Sequence, residues 1–393
     1  MKFFRQPLWQ MAFRPCYLLA SLFGAVCILV WGMGYTTGLG YIGNTALPVY
    51  LWHAHEMIWG YAGLVITGFL LTAVATWTGQ PPLRGGALVL LAGLWLIERV
   101  CVLFPAAVYW GGIVGNVFFL LAAWFLFLPI WRSGNKRNYI VVLALLLFAV
   151  NHAWFHWQLA HHHLITIRTG LWAGLIVVSG FIGLIGLRVI PFFTARRLNI
   201  PQVPISPLFG LSAMVLPMCM AVNLLFFPQW LGLTMIAGAA SGVINLIQVV
   251  RIWHRNVLRE PLLWVLFVGF TACALGLLVF GIGLYQPMAW SGMVSAGVHL
   301  IAVGGIGLLT LGMMARTALG HTGRPMRAVV PIPLAFGLMI LAALLRIVAA
   351  WASGSLFSGL IAVSALLFAL SLFLFAWRYT PWLLQARADG RAG

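Results

Sequence analysis

The stretch that decides the fold runs from His53 to Trp77 and reads HAHEMIWGYAGLVITGFLLTAVATW. After a start that holds two imidazoles and a carboxylate, it continues as an apolar run long enough to cross a bilayer, for which about 20 residues suffice. Ionisable and metal-binding side chains are costly inside a membrane, so their presence at the start of such a helix indicates a functional site. A metal ion or a haem is the simplest reason for them.

The composition assigns the whole chain to the same class. Of 393 residues, 63% are hydrophobic and 7% are charged, whereas a soluble domain carries about 25% charged residues. This predicts an all-α, polytopic membrane protein with the lipid bilayer as its surroundings. The net charge of +18 does not indicate a nucleic-acid partner, because the basic residues are scattered between apolar spans rather than clustered on a polar face.

Apolar runs of spanning length predict about twelve transmembrane helices in a single membrane domain covering residues 1–393, with a short amphipathic segment at about 1–15. We expect this first segment to be retained rather than cleaved. Loops are too short to form another domain. No sequence repeat is convincing, which leaves a hidden structural pseudo-repeat open. The predicted helices are 16–34, 53–77, 86–104, 108–131, 139–158, 169–190, 207–227, 229–252, 261–285, 290–316, 328–351 and 355–378.

The basic residues give an orientation. With the N-terminus inside, all of them except Arg99, Arg168 and Arg346 fall on the cytoplasmic side, as the positive-inside rule requires. Both termini are therefore predicted to be cytoplasmic. In this orientation most histidines lie in the outer half of the membrane or outside it, together with Glu98.

The spacing of the histidines suggests how they bind a metal. His152 and His156 are one helical turn apart, share a face, and can bind one ion such as copper or zinc. His53 and His55 point to nearly opposite sides of a helix, so they serve two centres or tie a cofactor to a hydrogen-bond partner. A solvated loop is the favoured interpretation of the histidines at 161–163.

Other polar residues have supporting roles in this interpretation. Glu56 is the nearest carboxylate that can accept a hydrogen bond from a ligating imidazole, and His299 on another helix can complete an axial pair across a haem. Glu98 beside Arg99 forms either a structural ion pair or part of a proton route. Candidates to hold haem propionates near the outer surface are Arg99, Arg168 and Arg346.

The sequence contains no CxxCH motif, which argues against covalent haem c and leaves non-covalent haem open.

Several motifs resemble those of the NnrS family of bacterial membrane proteins. They are FRP at 13–15, WHAHEM at 52–57, GFLLTA at 68–73, WTGQPP at 77–82, RVIPFFT at 188–194 and ARTALGHTGRP at 315–325. The resemblance implies a bacterial inner-membrane protein that contains haem b and copper. It also implies a link to nitric oxide metabolism in denitrifying bacteria and to resistance against nitrosative stress.

The resemblance also suggests individual residues. Four histidines match family motif positions: His53, His55, His299 and His321. His321 falls on the predicted cytoplasmic side, which suggests a structural role, and we assign supporting roles to Asn151, Arg188 and Arg316 as well. A histidine and a tyrosine that the family often has in the ninth helix are replaced by Phe267 and Phe270. That difference implies fewer cofactors or another way of binding them.

Two functions from different classes follow. The first is a haem–copper protein that binds or converts nitric oxide or a related small diatomic, with enzymatic turnover and the catalytic residues left open. The second is a transporter for copper, haem or another small ligand, favoured by the helix count and by the glycine-rich stretch 297–312. Gathering of the candidate ligands on one side of the membrane argues against transport. A third interpretation is an assembly or sensory protein whose haem is structural.

Overall fold

A computed structural model describes residues 3–37, 46–286 and 288–391, and within these ranges it leaves out the side chains of residues 164 and 165. The described residues form one long helix for each predicted helix. In chain order they are α1 Phe13–Thr37, α2 Val49–Thr78, α3 Gly86–Cys101, α4 Val108–Arg132, α5 Tyr139–Ala160, α6 Leu164–Leu198, α7 Pro207–Phe226, α8 Leu231–Ile252, α9 Pro261–Tyr285, α10 Met293–His321, α11 Ile332–Val348 and α12 Gly354–Leu384. Before them lie two short 3-10 turns, Phe3–Arg5 and Pro7–Trp9, in the segment predicted to be amphipathic.

The predicted all-α, polytopic membrane fold is confirmed. Eleven helices of the described part are long and apolar enough to cross a membrane, and no strand occurs among those residues. The exception is α3, which has 16 residues and measures about 24 Å at 1.5 Å per residue. The prediction of a helix over 86–104 was too long, because α3 ends soon after the buried residues Glu98 and Arg99. A cytoplasmic location of both termini stays a prediction.

Two spanning helices contain π-helical segments. In α2 the segment is Glu56–Ala62, and in α10 it is Leu300–Gly307. Each begins at the residue that follows a histidine, His55 or His299. Such widened turns free backbone groups and are frequent at functional sites. Within the π-helical segment of α2, the carbonyl oxygen of Gly60 accepts a hydrogen bond from the indole nitrogen of Trp95 in α3 at 3.0 Å.

The contacts group the chain into two compact units. The first comprises Met1–Ile167, Met314–Met326 and Leu372–Gly393, and the second comprises Arg168–Met313 and Arg327–Ser371. In the first unit α1 and α2 approach closely at Gly68. A Cβ atom added to this glycine would lie 3.3 Å from the sulfur of Cys16 and still closer to the Cβ atom of Cys16. In the second, Gly242 of α8 lies against the backbone of α9 in the same way. Small residues permit such close packing of membrane helices.

The helix bounds indicate an internal duplication, which the sequence alone did not make convincing. Placing His299 opposite His55 aligns α10 with α2 without a gap. Identical residues then occupy the pairs His55/His299, Gly60/Gly304, Gly63/Gly307, Leu64/Leu308, Gly68/Gly312, Thr78/Thr322, Gly79/Gly323 and Pro81/Pro325. Both helices end alike, since Gly79 and Gly323 have φ angles of 68° and 72°, the left-handed conformation that favours glycine.

The duplication continues into α4 and α12. Residues 120–132 read LLAAWFLFLPIWR and residues 366–378 read LLFALSLFLFAWR, so that Trp131–Arg132 corresponds to Trp377–Arg378. Between these matched helices, α3 and α11 can be aligned with Arg99 opposite Arg346. We therefore regard α2–α4 and α10–α12 as repeats of one ancestral segment.

Candidate metal centre

The candidate centre lies in the first unit, where the start of α2 meets the ends of α3 and α5. His55 comes from α2, Glu98 from α3, and His152 and His156 from α5. Because successive helices run in opposite directions, the start of α2 and the ends of α3 and α5 are brought to the same level. One-turn spacing then places His152 and His156 on the same face of α5.

These four side chains offer ligand atoms that all lie within 4.8 Å of one another. The Nε2 atom of His55 is 3.1 Å from Nε2 of His156 and 3.4 Å from Nε2 of His152. The Oε1 atom of Glu98 is 2.8 Å from Nε2 of His152 and 3.6 Å from Nε2 of His55. A metal about 2.0–2.1 Å from each of four tetrahedral ligands separates the ligand atoms by about 3.3 Å. The donor spacing therefore fits a single ion of the size of copper or zinc.

The orientation of His55 is set by its neighbour in the chain. Oε1 of Glu56 lies 2.8 Å from Nδ1 of His55. Since an ionised carboxylate only accepts hydrogen bonds, Nδ1 carries the proton and Nε2 carries the lone pair. That lone pair points at the other two imidazoles, as a metal ligand requires.

Arg99 holds the two carboxylates of the centre. Its Nη1 donates to Oε2 of Glu56 at 2.7 Å, and its Nη2 forms an ion pair with Oε2 of Glu98. All three side chains are at most 6% exposed. Both terminal nitrogens of Arg99 are thus directed at buried carboxylates, and the binding of a haem propionate by this residue stays a prediction.

Two glycines of α4 make room for the centre. A Cβ atom at Gly115 would overlap the carboxylate of Glu98, and a Cβ atom at Gly112 would overlap the ring of His156. The backbone of α4 thus lies directly against two of the four candidate ligands. No larger residue fits at either position without moving a ligand.

Aromatic side chains surround the imidazoles and keep water away. The ring of His55 lies 5.2 Å from those of both Trp59 and Phe155. The ring of His152 lies 5.6 Å from that of Phe119. All three aromatic side chains are fully buried. Such a dry shell strengthens the electrostatic interactions of the charged and ligating groups inside it.

Other predicted ligands lie elsewhere. His53 is stacked on Trp31, with ring centroids 4.2 Å apart, and is not a member of the four-residue group. His299 belongs to the second unit, where its Nδ1 donates to the carbonyl oxygen of Ser295 at 2.7 Å. The three histidines at 161–163 are exposed and lie in the loop where they were predicted.

The remaining predicted residues also have definite positions. Arg168 is exposed and lies over the ring of Trp172 at 4.9 Å, and Arg346 is half-buried in α11. His321 packs against the ring of Phe13 with centroids 5.6 Å apart. Among the residues that were predicted to have supporting roles, Asn151 and Arg316 are buried and Arg188 is half-buried.

Sequence reasoning missed the ligand position of Glu98. It assigned this residue to an ion pair or a proton route, whereas one carboxylate oxygen faces Arg99 and the other lies among the imidazole nitrogens. A signal was available in the predicted topology, which places the end of the third helix beside the start of the second. Spacing alone did not show that a carboxylate and three imidazoles converge.

The family model described as NnrS protein matches residues 7–387, nearly the entire chain. No curated protein matches the sequence.

Proposed function

The chain belongs to the NnrS family, and on this premise we propose that it is a haem- and copper-containing protein that binds or converts nitric oxide or a related small diatomic. Its place is the bacterial inner membrane, and its role lies in nitric oxide metabolism or nitrosative-stress resistance. One observation supports this above the others: three imidazole nitrogens and one carboxylate oxygen converge within 4.8 Å in a buried site.

The donor set and its charges suit copper. Imidazole nitrogens bind copper and zinc well. Glu56, Glu98 and Arg99 together leave one negative charge among their three ionised groups, and this charge is neutralised by a monovalent ion. Copper in its reduced state is monovalent, so a buried site of this charge holds it without a large uncompensated charge.

The protein's own residues prepare this site. His55, His152, His156 and Glu98 would hold the ion, while Glu56 orients His55 and Arg99 fixes both carboxylates. Copper bound there would supply one-electron chemistry. Trp59 and Phe155 limit access of water, whereas an apolar gas can arrive from the lipid.

Haem requires a different kind of site, and the duplication supports one at His299. This histidine corresponds to His55, and Arg346 corresponds to Arg99. The two carboxylates are not repeated, because Leu300 and Leu345 stand where the first repeat has Glu56 and Glu98. A metal held at His299 must therefore bring other ligands with it, as haem iron does.

The local geometry of His299 agrees with a haem ligand. Its Nδ1 is hydrogen-bonded to the carbonyl oxygen of Ser295, so Nε2 carries the lone pair that an iron ligand needs. In this proposal Arg346 and Arg168 remain candidates for propionate binding.

Elemental analysis and absorption spectra of detergent-purified protein from copper- and haem-replete cells test the proposal. We expect copper and a haem b spectrum whose Soret band shifts when nitric oxide is added. His55→Ala and His152→Ala should lose copper and keep haem, His299→Ala should lose haem and keep copper, and His161→Ala is the control. A wild-type preparation without haem or copper contradicts the proposal.

Transport is the competing function, and burial of the site speaks against it. Each of the four candidate ligands is at most 7% exposed, which suits a resident ion better than one in transit. Copper uptake into vesicles that is abolished by His55→Ala would favour transport instead.

A further inference from the structure

Four arginines of the first unit gather where α10 and α12 end and α1 begins. Two of them cap helices. Nη1 of Arg14 donates to the carbonyl oxygens of Leu383 at 2.9 Å and Gln385 at 2.6 Å, and Nη1 of Arg387 donates to that of His321 at 3.0 Å. The positive charges of these two arginines thus meet the negative ends of helix dipoles.

The other two arginines have a different environment. The guanidinium carbons of Arg324 and Arg378 lie 4.6 and 4.1 Å from the ring centroid of Trp382. Arg324 donates one hydrogen bond, to the carbonyl oxygen of Thr322 at 3.2 Å. Within the described residues Arg378 has neither a hydrogen bond nor an ion pair. Two cations therefore share one indole ring without a carboxylate between them.

Positive charge is in excess at this place. Burial and the charge of Arg378 lower the pKa of Arg324. Asp389 is the nearby carboxylate, but Arg387 binds both of its oxygens, at 2.9 and 2.6 Å. This pairing lowers the pKa of Asp389 to about 2. Hence the carboxylate is already occupied, and Arg324 and Arg378 retain their capacity to bind an anion.

The surroundings indicate the depth of the site. Trp377, next to Arg378, is 71% exposed, and Leu384 is 45% exposed. Exposed tryptophans at helix ends are typical of the boundary between acyl chains and headgroups. At this level a guanidinium meets phosphate groups, which it can bind with two parallel hydrogen bonds.

We propose that Arg324 and Arg378, both beside the ring of Trp382, bind the phosphate of an anionic phospholipid such as phosphatidylglycerol. Basic pockets at the ends of membrane helices recognise lipid headgroups through this chemistry. Free phosphate offers the same group without the acyl chains, so the experiment includes it as a separate ligand.

The duplication provides a matched control. Trp131–Arg132 at the end of α4 corresponds to Trp377–Arg378, but Gln80 stands where the second repeat has Arg324. The first repeat therefore keeps the tryptophan–arginine pair but has no cation at the position that corresponds to Arg324.

The test measures lipids bound to the delipidated full-length protein by native mass spectrometry, together with the shift in melting temperature. We expect phosphatidylglycerol to bind and stabilise, and phosphatidylcholine and inorganic phosphate to have little effect. Arg324→Gln with Arg378→Gln should weaken phosphatidylglycerol binding at least tenfold, and Arg132→Gln should leave it unchanged. Equal loss in Arg132→Gln, or equal stabilisation by inorganic phosphate, overturns the proposal.

A second measurement needs no variant. Wild-type protein is crosslinked with a photoreactive phosphatidylglycerol and digested for mass spectrometry. Crosslinks in the peptides that contain Arg324 or Trp382 are expected. Crosslinks confined to other parts of the chain overturn the proposal.

Discussion

Glu56 and His55 are neighbours in the chain, and Oε1 of Glu56 lies 2.8 Å from Nδ1 of His55. The α-helix gives way to a π-helix at this step. The carboxylate thereby fixes the tautomer of a candidate ligand from its own helix, while its other oxygen is bonded to Arg99. One residue thus connects the imidazoles to the cation that balances the carboxylates.

Replacing Glu56 with glutamine should weaken metal binding without removing a ligand. The amide keeps the shape of the side chain but loses the charge that holds His55 and Arg99. We expect copper affinity to fall about 10–100-fold, the usual cost of losing such an outer partner, as measured by competition with a chelator. Glu260→Gln, which alters a partly exposed pair with Arg197, should leave the affinity unchanged. Equal affinities of Glu56→Gln and the wild type would contradict the role given to Glu56.

Adding one methyl group at Gly115 should displace a candidate ligand. The new Cβ atom would overlap the carboxylate of Glu98, so either Glu98 or α4 must move. We expect a loss of stability of about 1–3 kcal/mol and a loss of bound copper, measured by thermal unfolding and elemental analysis. Gly93→Ala on α3 is the matched control, because a Cβ atom there meets nothing within 4 Å. A copper content equal to the wild type in Gly115→Ala would rule out this geometry.

Breaking the Arg99 network should be costly. Arg99→Met leaves Glu56 and Glu98 buried without their shared cation, and removing one partner of a buried ion pair typically costs about 3–5 kcal/mol. Arg99→Lys should rescue little, because a single ammonium lacks the fork that reaches both carboxylates. Unfolding in a denaturing detergent measures both variants. Full recovery with lysine would show that charge alone matters.

The sequence predicted the helices because apolar runs between proline and glycine joints mark spans directly. It predicted the end of α3 wrongly, since Glu98 and Arg99 lie within an apolar run and give no sign that the helix stops soon after them. The π-helical segments were also missed. They depend on a backbone hydrogen-bond shift, and glycines at 60, 63, 304 and 307 became informative only once the two repeats were aligned.

The site was predictable in part. Spacing paired His152 with His156, separated His53 from His55, and named Glu56 as the partner of a ligating imidazole. Which of His53 and His55 faces α5 depends on the rotation of α2 about its axis, and apolar residues on all sides of that helix leave this rotation undetermined. The predicted topology placed Glu98 near the level of His55, but only the three-dimensional distances show that its carboxylate reaches the imidazoles.

Arg14 in the FRP motif should anchor the C-terminal segment. Its side chain is fully buried, and Nη1 lies 2.9 Å from the carbonyl oxygen of Leu383 and 2.6 Å from that of Gln385. Hydrogen bonds to a charged group contribute about 1.5–3 kcal/mol each, so Arg14→Gln should lower the melting temperature and release the segment that follows α12. Trypsin should then cleave after Arg387 faster than in the wild type, as followed by mass spectrometry. Arg5→Gln, an exposed change in the preceding turn, is the control, and an unchanged cleavage rate in Arg14→Gln would show that other contacts hold the segment.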